Sequence, residues 1–436
     1  MSLLANSNAI ETGGYQISRS VRLRSSASAY LNRTWGSNGN SRTFTISAWV
    51  KRGALGSLQD IVTARQDGSN NFSFRFIAND TLEVYAFVGG SQIISLFTTQ
   101  VFRDPSAWYH FVFSVDTTQA TSTNRVKVYI NGTQITAFST ATYPSLNATT
   151  LWSQTAATHY FGTYNASIEF IDGYMAEINV IDGSALTPSS FGETDTITGV
   201  WVAKKYTGSY GTNGFYLNFS DNSAATSTTI GKDYSGNGNN WTPNNISVTA
   251  GTTYDSMLDV PSGNGYADGG NGRGNYCVLN PLDKSTNATV TDGNLKIRVA
   301  VTGANNFAKS TIALPADKIY FEAVAGNNTG GTLVAELGLV DVSTQTYAGV
   351  KNGVQCTNGD FSKIVNGTYT SLGGGGITSG TVIGLAYDLI NGLMTIYKNG
   401  TAVASNQSIP TTYTSVMAHA YRDVANDVGW ELNFGQ

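Results

Sequence analysis

Two segments of the sequence read almost alike, VKVYINGTQI at residues 126–135 and MTIYKNGTAV at residues 394–403. Each places Asn-Gly, at positions 131–132 and 399–400, between two runs in which apolar and polar residues alternate. Asn-Gly in this setting is the strongest short-range signal for a β-hairpin, because a two-residue type I′ turn needs positive φ at both central positions. The chain is therefore expected to form the same kind of hairpin twice.

The register of each hairpin follows from its two-residue loop. Val128 should face Ile135 in the first hairpin, and Ile396 should face Val403 in the second. Each hairpin therefore has one apolar face to bury.

Composition extends this pattern to the whole chain. Only 12% of the 436 residues are charged, against about 25% in an average soluble protein, whereas Gly (48), Tyr (23) and Phe (19) are abundant. Helices normally present Lys and Glu on their exposed faces, so this composition favours strands joined by polar turns. Strand-like runs such as FSFRFIAND and AWYHFVFSVD recur at the spacing of sandwiches or barrels. We therefore predict an all-β protein.

Neither nucleic acid nor membrane insertion is expected. The net charge is −4 and the Lys and Arg residues are scattered, which is unlike a nucleic-acid-binding surface. No segment approaches the roughly 18 consecutive apolar residues of a membrane span, and the first residues lack the basic and apolar regions of a signal peptide. Cys277 and Cys356 cannot form a disulfide framework and are expected to be free thiols.

The texture of the sequence divides the chain into four parts. Residues 1–19 are polar and without periodicity, which indicates an N-terminal arm. Strand patterns fill residues 20–198, whereas residues 199–285 are dense in Gly, Asn and aromatic residues and indicate a bridge. Strand patterns return in residues 286–436, which suffices for a second core. The predicted fold is two antiparallel β-sandwiches joined by a Gly/Asn-rich bridge.

The first sandwich resembles the laminin-G-like, concanavalin A-like lectin superfamily. The matching motifs occur in order: FTISAWVK at 44–51, WYHFVFSVD at 108–116, RVKVYINGTQI at 125–135 and FIDGYMAEINVIDGSALTPSSFGE at 170–193. The resemblance implies a jelly-roll sandwich of two antiparallel sheets.

The last third resembles a SPRY domain. The motifs that carry the resemblance are KIYFEAVA at 318–325, VIGLAYDLINGLMTIYKNGT at 382–401 and WELNFGQ at 430–436. SPRY domains are also two-sheet antiparallel sandwiches, which explains why the same hairpin recurs.

The order of motifs along the whole chain looks like that of virion proteins of tailed bacteriophages. SRSVRLRSSASAYLNRT, FRDPSAWYHFVFSVDTT, KYTGSYGTNGFYLNFSDNS and GKDYSGNGNNWTPNNIS are among them. The resemblance implies a virion component made in the host cytoplasm, of tail fibre or head fibre type, whose lectin-like modules meet host-surface glycan or protein. The alternative is a capsid decoration subunit that binds mainly other virion proteins. The arm would attach the chain to the particle, and the sequence leaves open whether it forms a homo-oligomer such as a trimer.

Five aromatic residues in the predicted bridge are candidates for ligand binding: Trp201, Tyr206, Tyr210, Trp241 and Tyr254. They stand among turn residues, where flat rings can stack on sugars or pack between protein chains. The alternative interpretation is that they cover the seam between the two sandwiches.

The segment DYSGNGNNW is a weak calcium candidate. Asp233, Ser235 and Asn237, followed by Gly238, copy the opening of an oxygen-ligand calcium loop. The position of the closing bidentate carboxylate is Asn244, which departs from that pattern. Asx-turns that stabilise a Gly-rich loop explain the same residues.

No catalytic residues and no other cofactor are expected. The laminarinase-type hydrolases that share the lectin-like fold use Glu-x-Asp-x-x-Glu on a strand. Here Glu193 and Asp195 fit only the first half, because Thr198 stands where the second Glu is needed. His110 alternates with core-facing Phe111 and is expected to be a satisfied histidine on the opposite face of its strand. A polysaccharide depolymerase is therefore the least favoured function.

Overall fold

The structure is a computed structural model that describes residues 15–196, 198–261, 274–299, 306–312, 317–326, 333–340, 349–357, 359–373, 376–412, 415–422 and 429–435. Within these ranges it has strands, turns and three short 3-10 segments (Ser25–Ala27, Ser122–Asn124 and Pro188–Ser190) but no α-helix. The all-β prediction is confirmed. In the same ranges no helix has the length and apolar character needed to cross a membrane.

Two compact units make up the chain. We call the described parts the N-terminal domain, residues 15–261 with 274–275, and the C-terminal domain, residues 276–435. Residues 1–14 of the predicted arm and 262–273 of the predicted bridge lie outside the described residues.

The strands of the N-terminal domain are β1 (Ser20–Leu23), β2 (Tyr30–Thr34), β3 (Thr43–Arg52), β4 (Gln59–Arg65), β5 (Asn71–Phe76), β6 (Thr81–Val88), β7 (Ser91–Val101), β8 (Trp108–Asp116), β9 (Val126–Ile130), β10 (Thr133–Ile135), β11 (Phe138–Thr142), β12 (Thr158–Phe161), β13 (Gly173–Asp182), β14 (Gly192–Thr194), β15 (Trp201–Ala203), β16 (Phe215–Leu217), β17 (Thr242–Asn244) and β18 (Ser256–Met257). Sheet I has the order β10-β9-β8-β3-β13-β1-β18, with β16 also paired to β13, and sheet II has the order β11-β7-β6-β5-β4-β12-β2-β17. Strands β14 and β15 form a separate hairpin.

The core of the N-terminal domain lies between sheets I and II, and the period-2 pattern of the strands explains which faces are buried. In β5, Phe72, Phe74 and Phe76 point into the core and are at most 2% exposed. Phe74 stacks on Phe113 of sheet I at 5.8 Å between ring centroids. Arg75, between two of these phenylalanines, lies on the opposite face, which we call the outer face of sheet II.

Both Asn-Gly turns have the predicted type I′ conformation, with positive φ at the two central residues. The φ values are 45° at Asn131 and 83° at Gly132 in the first turn. They are 49° at Asn399 and 78° at Gly400 in the second.

The register prediction is confirmed for the first hairpin and wrong for the second. Val128 pairs with Ile135 as expected. Ile396 pairs with Ala404 rather than Val403, because a β-bulge beside Ile396 adds a residue to the returning strand. Val403 is 38% exposed as a result.

Residues 199–261 of the predicted bridge belong to the N-terminal domain rather than forming a separate connection, and residues 276–285 belong to the C-terminal domain. Strands β16, β17 and β18 pair with β13, β2 and β1, which places them in sheets I and II. The segment looked like a bridge because turns rich in Gly and Asn separate these short strands. We call residues 199–261 the cover segment.

Buried ion pairs join the cover segment to the outer face of sheet I. Lys51 Nζ lies 2.7 Å from Asp259 Oδ2, and Trp108 Nε1 donates to Asp259 Oδ1 at 2.9 Å. Arg22 Nε donates to Asp255 Oδ1 at 3.0 Å. The side chains of Lys51, Asp259 and Asp255 have no solvent exposure. Removing one partner of such a pair leaves an uncompensated buried charge, so these contacts fix the position of the segment.

The last residues of the predicted arm also pack in the N-terminal domain. Ile17 has no solvent exposure, and the Tyr15 hydroxyl donates to Glu177 Oε2 at 2.8 Å. Glu177 lies at a β-bulge of β13 with φ 51° and also accepts a hydrogen bond from the Tyr216 hydroxyl at 2.9 Å. Burial raises the pKa of Glu177 to about 7. Residues 15–19 are therefore part of the N-terminal domain. The sequence did not indicate this, because a single apolar residue and one long-range hydrogen bond leave no periodic pattern.

The strands of the C-terminal domain are β19 (Leu279–Lys284), β20 (Ala288–Thr291), β21 (Lys296–Val299), β22 (Asn306–Ser310), β23 (Lys318–Ala325), β24 (Leu333–Val340), β25 (Asn352–Thr357), β26 (Phe361–Val365), β27 (Thr368–Ser371), β28 (Val382–Asp388), β29 (Leu393–Lys398), β30 (Thr401–Ser408), β31 (Ser415–Arg422) and β32 (Trp430–Asn433). Sheet III has the order β19-β22-β31-β24-β25-β26-β27, and sheet IV the order β20-β21-β32-β23-β28-β29-β30. The two sheets give the second sandwich that the sequence predicts.

Candidate functional site

The five aromatic residues proposed from the sequence do not come together in one site. Trp241 has no solvent exposure. Its ring packs in the core at 4.8 Å from Phe161 and 4.9 Å from Phe215. A ring without an open face cannot stack on a sugar, so Trp241 is a core residue.

Trp201 covers the outer face of sheet I. Its Nε1 donates to His110 Nδ1 at 3.0 Å, and the His110 ring stacks on Trp49 at 4.8 Å. Because Nδ1 accepts, the His110 proton is on Nε2 and is donated to Ser47 Oγ at 2.9 Å. Burial lowers the pKa of His110 to about 3. His110 is the hydrogen-bonded sheet histidine that the sequence predicts, and Trp201 covers it.

The three tyrosines of the same group also pack within the N-terminal domain. Tyr206 contacts Phe191 at 5.2 Å and Tyr210 at 5.1 Å between ring centroids. The Tyr210 hydroxyl donates to Asn179 Oδ1 at 2.9 Å. The Tyr254 hydroxyl accepts a hydrogen bond from the side-chain amide of Asn222, and the residue is half-buried. These contacts favour packing of the cover segment over ligand binding.

The loop around Asp233 does not fit calcium. Asp233 Oδ1 accepts hydrogen bonds from the backbone N–H groups of Tyr216 and Ser235, at 2.9 and 2.8 Å. Oδ2 accepts from the Ser235 hydroxyl and the Asn239 N–H, both at 2.8 Å. Asn237 points its amide N–H groups at backbone carbonyls. Both oxygens of the Asp233 carboxylate therefore already accept hydrogen bonds, as in an Asx-turn, and are not free to bind calcium. Among the described residues, no group of three or more His, Cys, Asp and Glu side chains could hold a metal ion.

The outer face of sheet II presents the exposed combination of rings and fixed charges that the cover segment lacks. Ladder pairing aligns Tyr160 of β12 with Thr63 of β4 on one side and Asn32 of β2 on the other. Tyr30, two residues before Asn32, shares this face because side chains alternate along a strand. Its ring lies 6.0 Å from that of Tyr160.

A loop at residues 164–170 forms a wall along this face. Phe170 lies 6.2 Å from the ring of Tyr30, and the Arg65 guanidinium lies 5.0 Å from the ring centre of Tyr164. Tyr30, Tyr164 and Phe170 are half-buried, so each ring is held by packing and still open to solvent. Rings held in this way lose little entropy when a ligand stacks on them.

Arg75 organises the charged part of the face. Its Nε donates to Glu83 Oε2 at 2.8 Å and its Nη1 to Glu169 Oε2 at 2.9 Å. The guanidinium also lies 4.5 Å from the ring centre of Tyr85. The arginine is about one-fifth exposed, so its position is fixed while one edge remains accessible to a polar ligand.

Asp60 of β4 contacts the loop at residues 164–170 from the sheet. It has no solvent exposure and receives hydrogen bonds from the hydroxyls of Ser73 and Thr63. Burial raises the pKa of Asp60 well above its ordinary value. The backbone of Glu169 has φ 58°, which is the left-handed region that non-glycine residues adopt at an energetic cost. The Asp60 backbone N–H donates to the Glu169 carbonyl at 3.0 Å, which holds the loop at residues 164–170 against the sheet.

The carboxyls of Asp60 and Glu169 do not form a glycosidase pair. Retaining glycosidases keep two carboxyl groups about 5 Å apart with the sugar between them, whereas the Asp60 carboxyl has no solvent exposure, so a sugar cannot reach it. The Glu193 motif offers no alternative, because Glu193 is exposed beside Lys204 and Asp195 Oδ1 accepts the Thr198 N–H in a turn. Neither pair of carboxyls therefore has the arrangement of a retaining glycosidase.

Comparisons with known proteins agree with this architecture. Residues 25–190 match the family model described as the concanavalin A-like lectin/glucanases superfamily, in its laminin G group. The N-terminal domain thus has a laminin-G/concanavalin A-like sandwich fold. A search of curated protein sequences returned no match.

Several solved structures are similar to parts of the chain. Domains LG4-5 of the mouse laminin alpha1 chain have 10% identity and a TM-score of 0.34, with 96% of this chain and 88% of that chain covered. The SPRY domain of human HERC1 has 12% identity and a TM-score of 0.29, with 36% and 98% covered. A pentraxin from Limulus polyphemus has 17% identity and a TM-score of 0.29, with 40% and 80% covered.

Proposed function

We propose that this chain is a non-enzymatic virion component of a tailed bacteriophage, of tail fibre or head fibre type, and that it recognises host-surface glycan. The observation that carries the glycan part is the outer face of sheet II. There, the half-buried rings of Tyr30, Tyr164 and Phe170 share a face with Arg75, which is fixed by two carboxylates. Apolar rings that fix orientation, combined with a few placed polar groups, are what sugar-sized ligands require.

The virion part of the proposal rests on the order of motifs along the chain. The arm at residues 1–14 would attach the protein to its particle, leaving the two sandwiches on the outside. Immunogold labelling of purified virions with an antibody against the C-terminal domain tests this placement. Labelled tail or head fibres support the proposal, and labelled capsid faces would favour a decoration subunit instead.

Glycan recognition can be tested on the purified full-length chain with an array of bacterial surface polysaccharides. Tyr164→Ala should weaken binding to any positive polysaccharide at least about fivefold, because a ring central to an interface contributes more than about 1 kcal/mol. Tyr234→Ala is the matched control, because Tyr234 is also half-buried beside a cation, Lys232 at 5.1 Å. It lies beside sheet I instead, where its backbone N–H donates to the Tyr216 carbonyl at 2.7 Å. Its binding should stay at the wild-type level.

Two results would contradict the proposal. Absence of binding to every polysaccharide would remove the glycan function, and equal losses in both tyrosine variants would remove the site. Size-exclusion chromatography of the bound polysaccharide after long incubation separates binding from depolymerase activity. We expect no shortening of the polymer.

A further inference from the structure

Tyr320, in sheet IV of the C-terminal domain, has an unusual position for an exposed tyrosine. It is 38% exposed, yet its phenol end lies directly over Gly384 of the neighbouring strand β28. A Cβ atom on Gly384 would stand 2.6 Å from Tyr320 Oη and 3.2 Å from Tyr320 Cε2. The ring therefore occupies the space that any side chain at position 384 would fill, and it lies against the sheet instead of extending into solvent.

Two further contacts hold this ring in place. The Tyr320 hydroxyl donates to Glu322 Oε1 at 2.6 Å. The ring of Tyr397, whose residue pairs with Gly384 across β28 and β29, lies 6.2 Å away at an interplanar angle of 84°. The outward face of Tyr320 is thus a flat apolar platform of fixed orientation. A preorganised ring of this kind loses little entropy when a ligand binds to it.

A depression of about 260 Å³ adjoins the platform. Its polar groups are Lys318, Asp388, Thr395 and Asn406, and its floor is formed by Ala386 and neighbouring strand residues. This volume is somewhat below the roughly 300–1,000 Å³ of pockets for drug-sized ligands. It suits a ligand the size of a single sugar ring.

The charges around the depression favour a neutral ligand. Lys318 Nζ lies 3.5 Å from Asp388 Oδ2, so the two formal charges of the rim compensate each other. Asn406 has φ 51°, and its backbone N–H donates to Thr395 Oγ1 at 3.2 Å, which holds its exposed amide beside the depression. Hydroxyl and amide groups at the edge of an apolar ring match the hydroxyls and the C–H face of a pyranose.

We propose that the Tyr320 platform and the adjoining depression bind one neutral hexopyranose ring of a glycan. The C–H face of the sugar stacks on Tyr320, and its hydroxyls exchange hydrogen bonds with Asn406, Thr395 and the Lys318–Asp388 pair. This site goes beyond the proposed function, because it lies in the other domain and uses none of the residues on the outer face of sheet II.

The test follows the tyrosine rings of the full-length chain by ¹⁹F NMR after incorporation of 3-fluorotyrosine. Tyr320→Phe identifies the resonance of Tyr320 by removing it. The methyl glycosides of glucose, galactose, mannose and N-acetylglucosamine are then titrated up to about 100 mM, a hundred times a weak millimolar Kd. At least one of them should shift the Tyr320 resonance in a saturable manner.

One variant and one reference resonance make the result specific. Tyr369 is the matched reference, because it is 46% exposed and also donates its hydroxyl to a glutamate, Glu336 at 2.8 Å, but it lies in sheet III. Its resonance should not move. Gly384→Ala should weaken the response of Tyr320 at least fivefold, since the added methyl displaces the phenol end of the ring.

Three outcomes would overturn the inference: no shift of Tyr320 with any glycoside, an equal shift of Tyr369, or an unchanged response in Gly384→Ala. Tyr164→Ala separates this site from the proposed function. It should leave the Tyr320 response intact, so that failure of polysaccharide binding on sheet II and failure of the Tyr320 site are read independently.

Discussion

Gly132 and Gly400 hold the same position in two type I′ turns, yet a side chain would meet different surroundings at each. Both have strongly positive φ, 83° and 78°. A Cβ atom on Gly132 would stand 2.5 Å from the Trp201 ring, whereas one on Gly400 would have no atom within 4 Å. Replacing each glycine with alanine therefore separates the effect of backbone conformation from the effect of a displaced tryptophan.

The expected losses of stability differ by the contacts of Trp201. Left-handed backbone at a non-glycine residue costs roughly 1–2 kcal/mol, and Gly400→Ala should lose that amount alone. Gly132→Ala also pushes Trp201 away from His110. A hydrogen bond contributes about 0.5–1.5 kcal/mol and an aromatic pair about 0.5–1.5 kcal/mol. The free energy of unfolding should thus fall by about 1–3 kcal/mol more in Gly132→Ala than in Gly400→Ala.

Each loss can be measured in its own domain. Urea unfolding of the full-length chain is monitored by hydrogen-exchange mass spectrometry. Peptides from β8 report the free energy of unfolding of the N-terminal domain, and peptides from β28 report that of the C-terminal domain. In a Trp201→Leu background the extra loss of Gly132→Ala should vanish, as a double-mutant cycle requires. Equal losses in the two single variants, within about 0.5 kcal/mol, would refute the reasoning.

Three further outcomes are expected. Asp259→Asn, which removes the carboxylate from a buried lysine, should lower the stability of the N-terminal domain by about 3–5 kcal/mol in urea unfolding; a loss below about 1 kcal/mol would mean that the pair is not buried in solution. Because the pKa of Glu177 is raised from 4.5 to about 7, the folded state retains a proton that the unfolded chain releases. Stability should therefore fall as pH rises through this window, and Glu177→Gln should flatten the profile, whereas a rise would contradict the assignment. Deleting residues 2–14 should leave the melting temperature unchanged while preventing incorporation into virions, and extending the deletion to residues 2–18 should destabilise the N-terminal domain because Ile17 is fully buried.

Features set by neighbours in the sequence were predictable. The alternation that buries Phe72 and Phe74 and the positive φ of Asn131 depend on a few adjacent residues, and both agree with the structure. The register of the second hairpin was not predictable, because the bulge beside Ile396 is not encoded in its Asn-Gly turn.

Features set by distant partners left no local signal. Asp259 pairs with Lys51 across 208 positions, and no residue near either of them in the sequence signals this ion pair. The rings of Tyr30 and Tyr160 occupy ordinary alternating positions in strands, so the sequence does not distinguish them from structural tyrosines. Trp241 shows the reverse case, because turn residues surround it in sequence while the core surrounds it in space.

The pairing of Lys51 with Asp259 also has a consequence for synthesis on the ribosome. The two residues are 208 positions apart, so at roughly 5–20 residues per second the nascent chain waits about 10–40 s before the partner emerges. During that interval the outer face of sheet I is open to water. This face carries apolar residues such as Val112 and Ile181, and the charges of Arg22 and Lys51 beside them oppose aggregation with other nascent chains. The ion pairs thus allow one face of a half-finished domain to remain hydrated until its cover arrives.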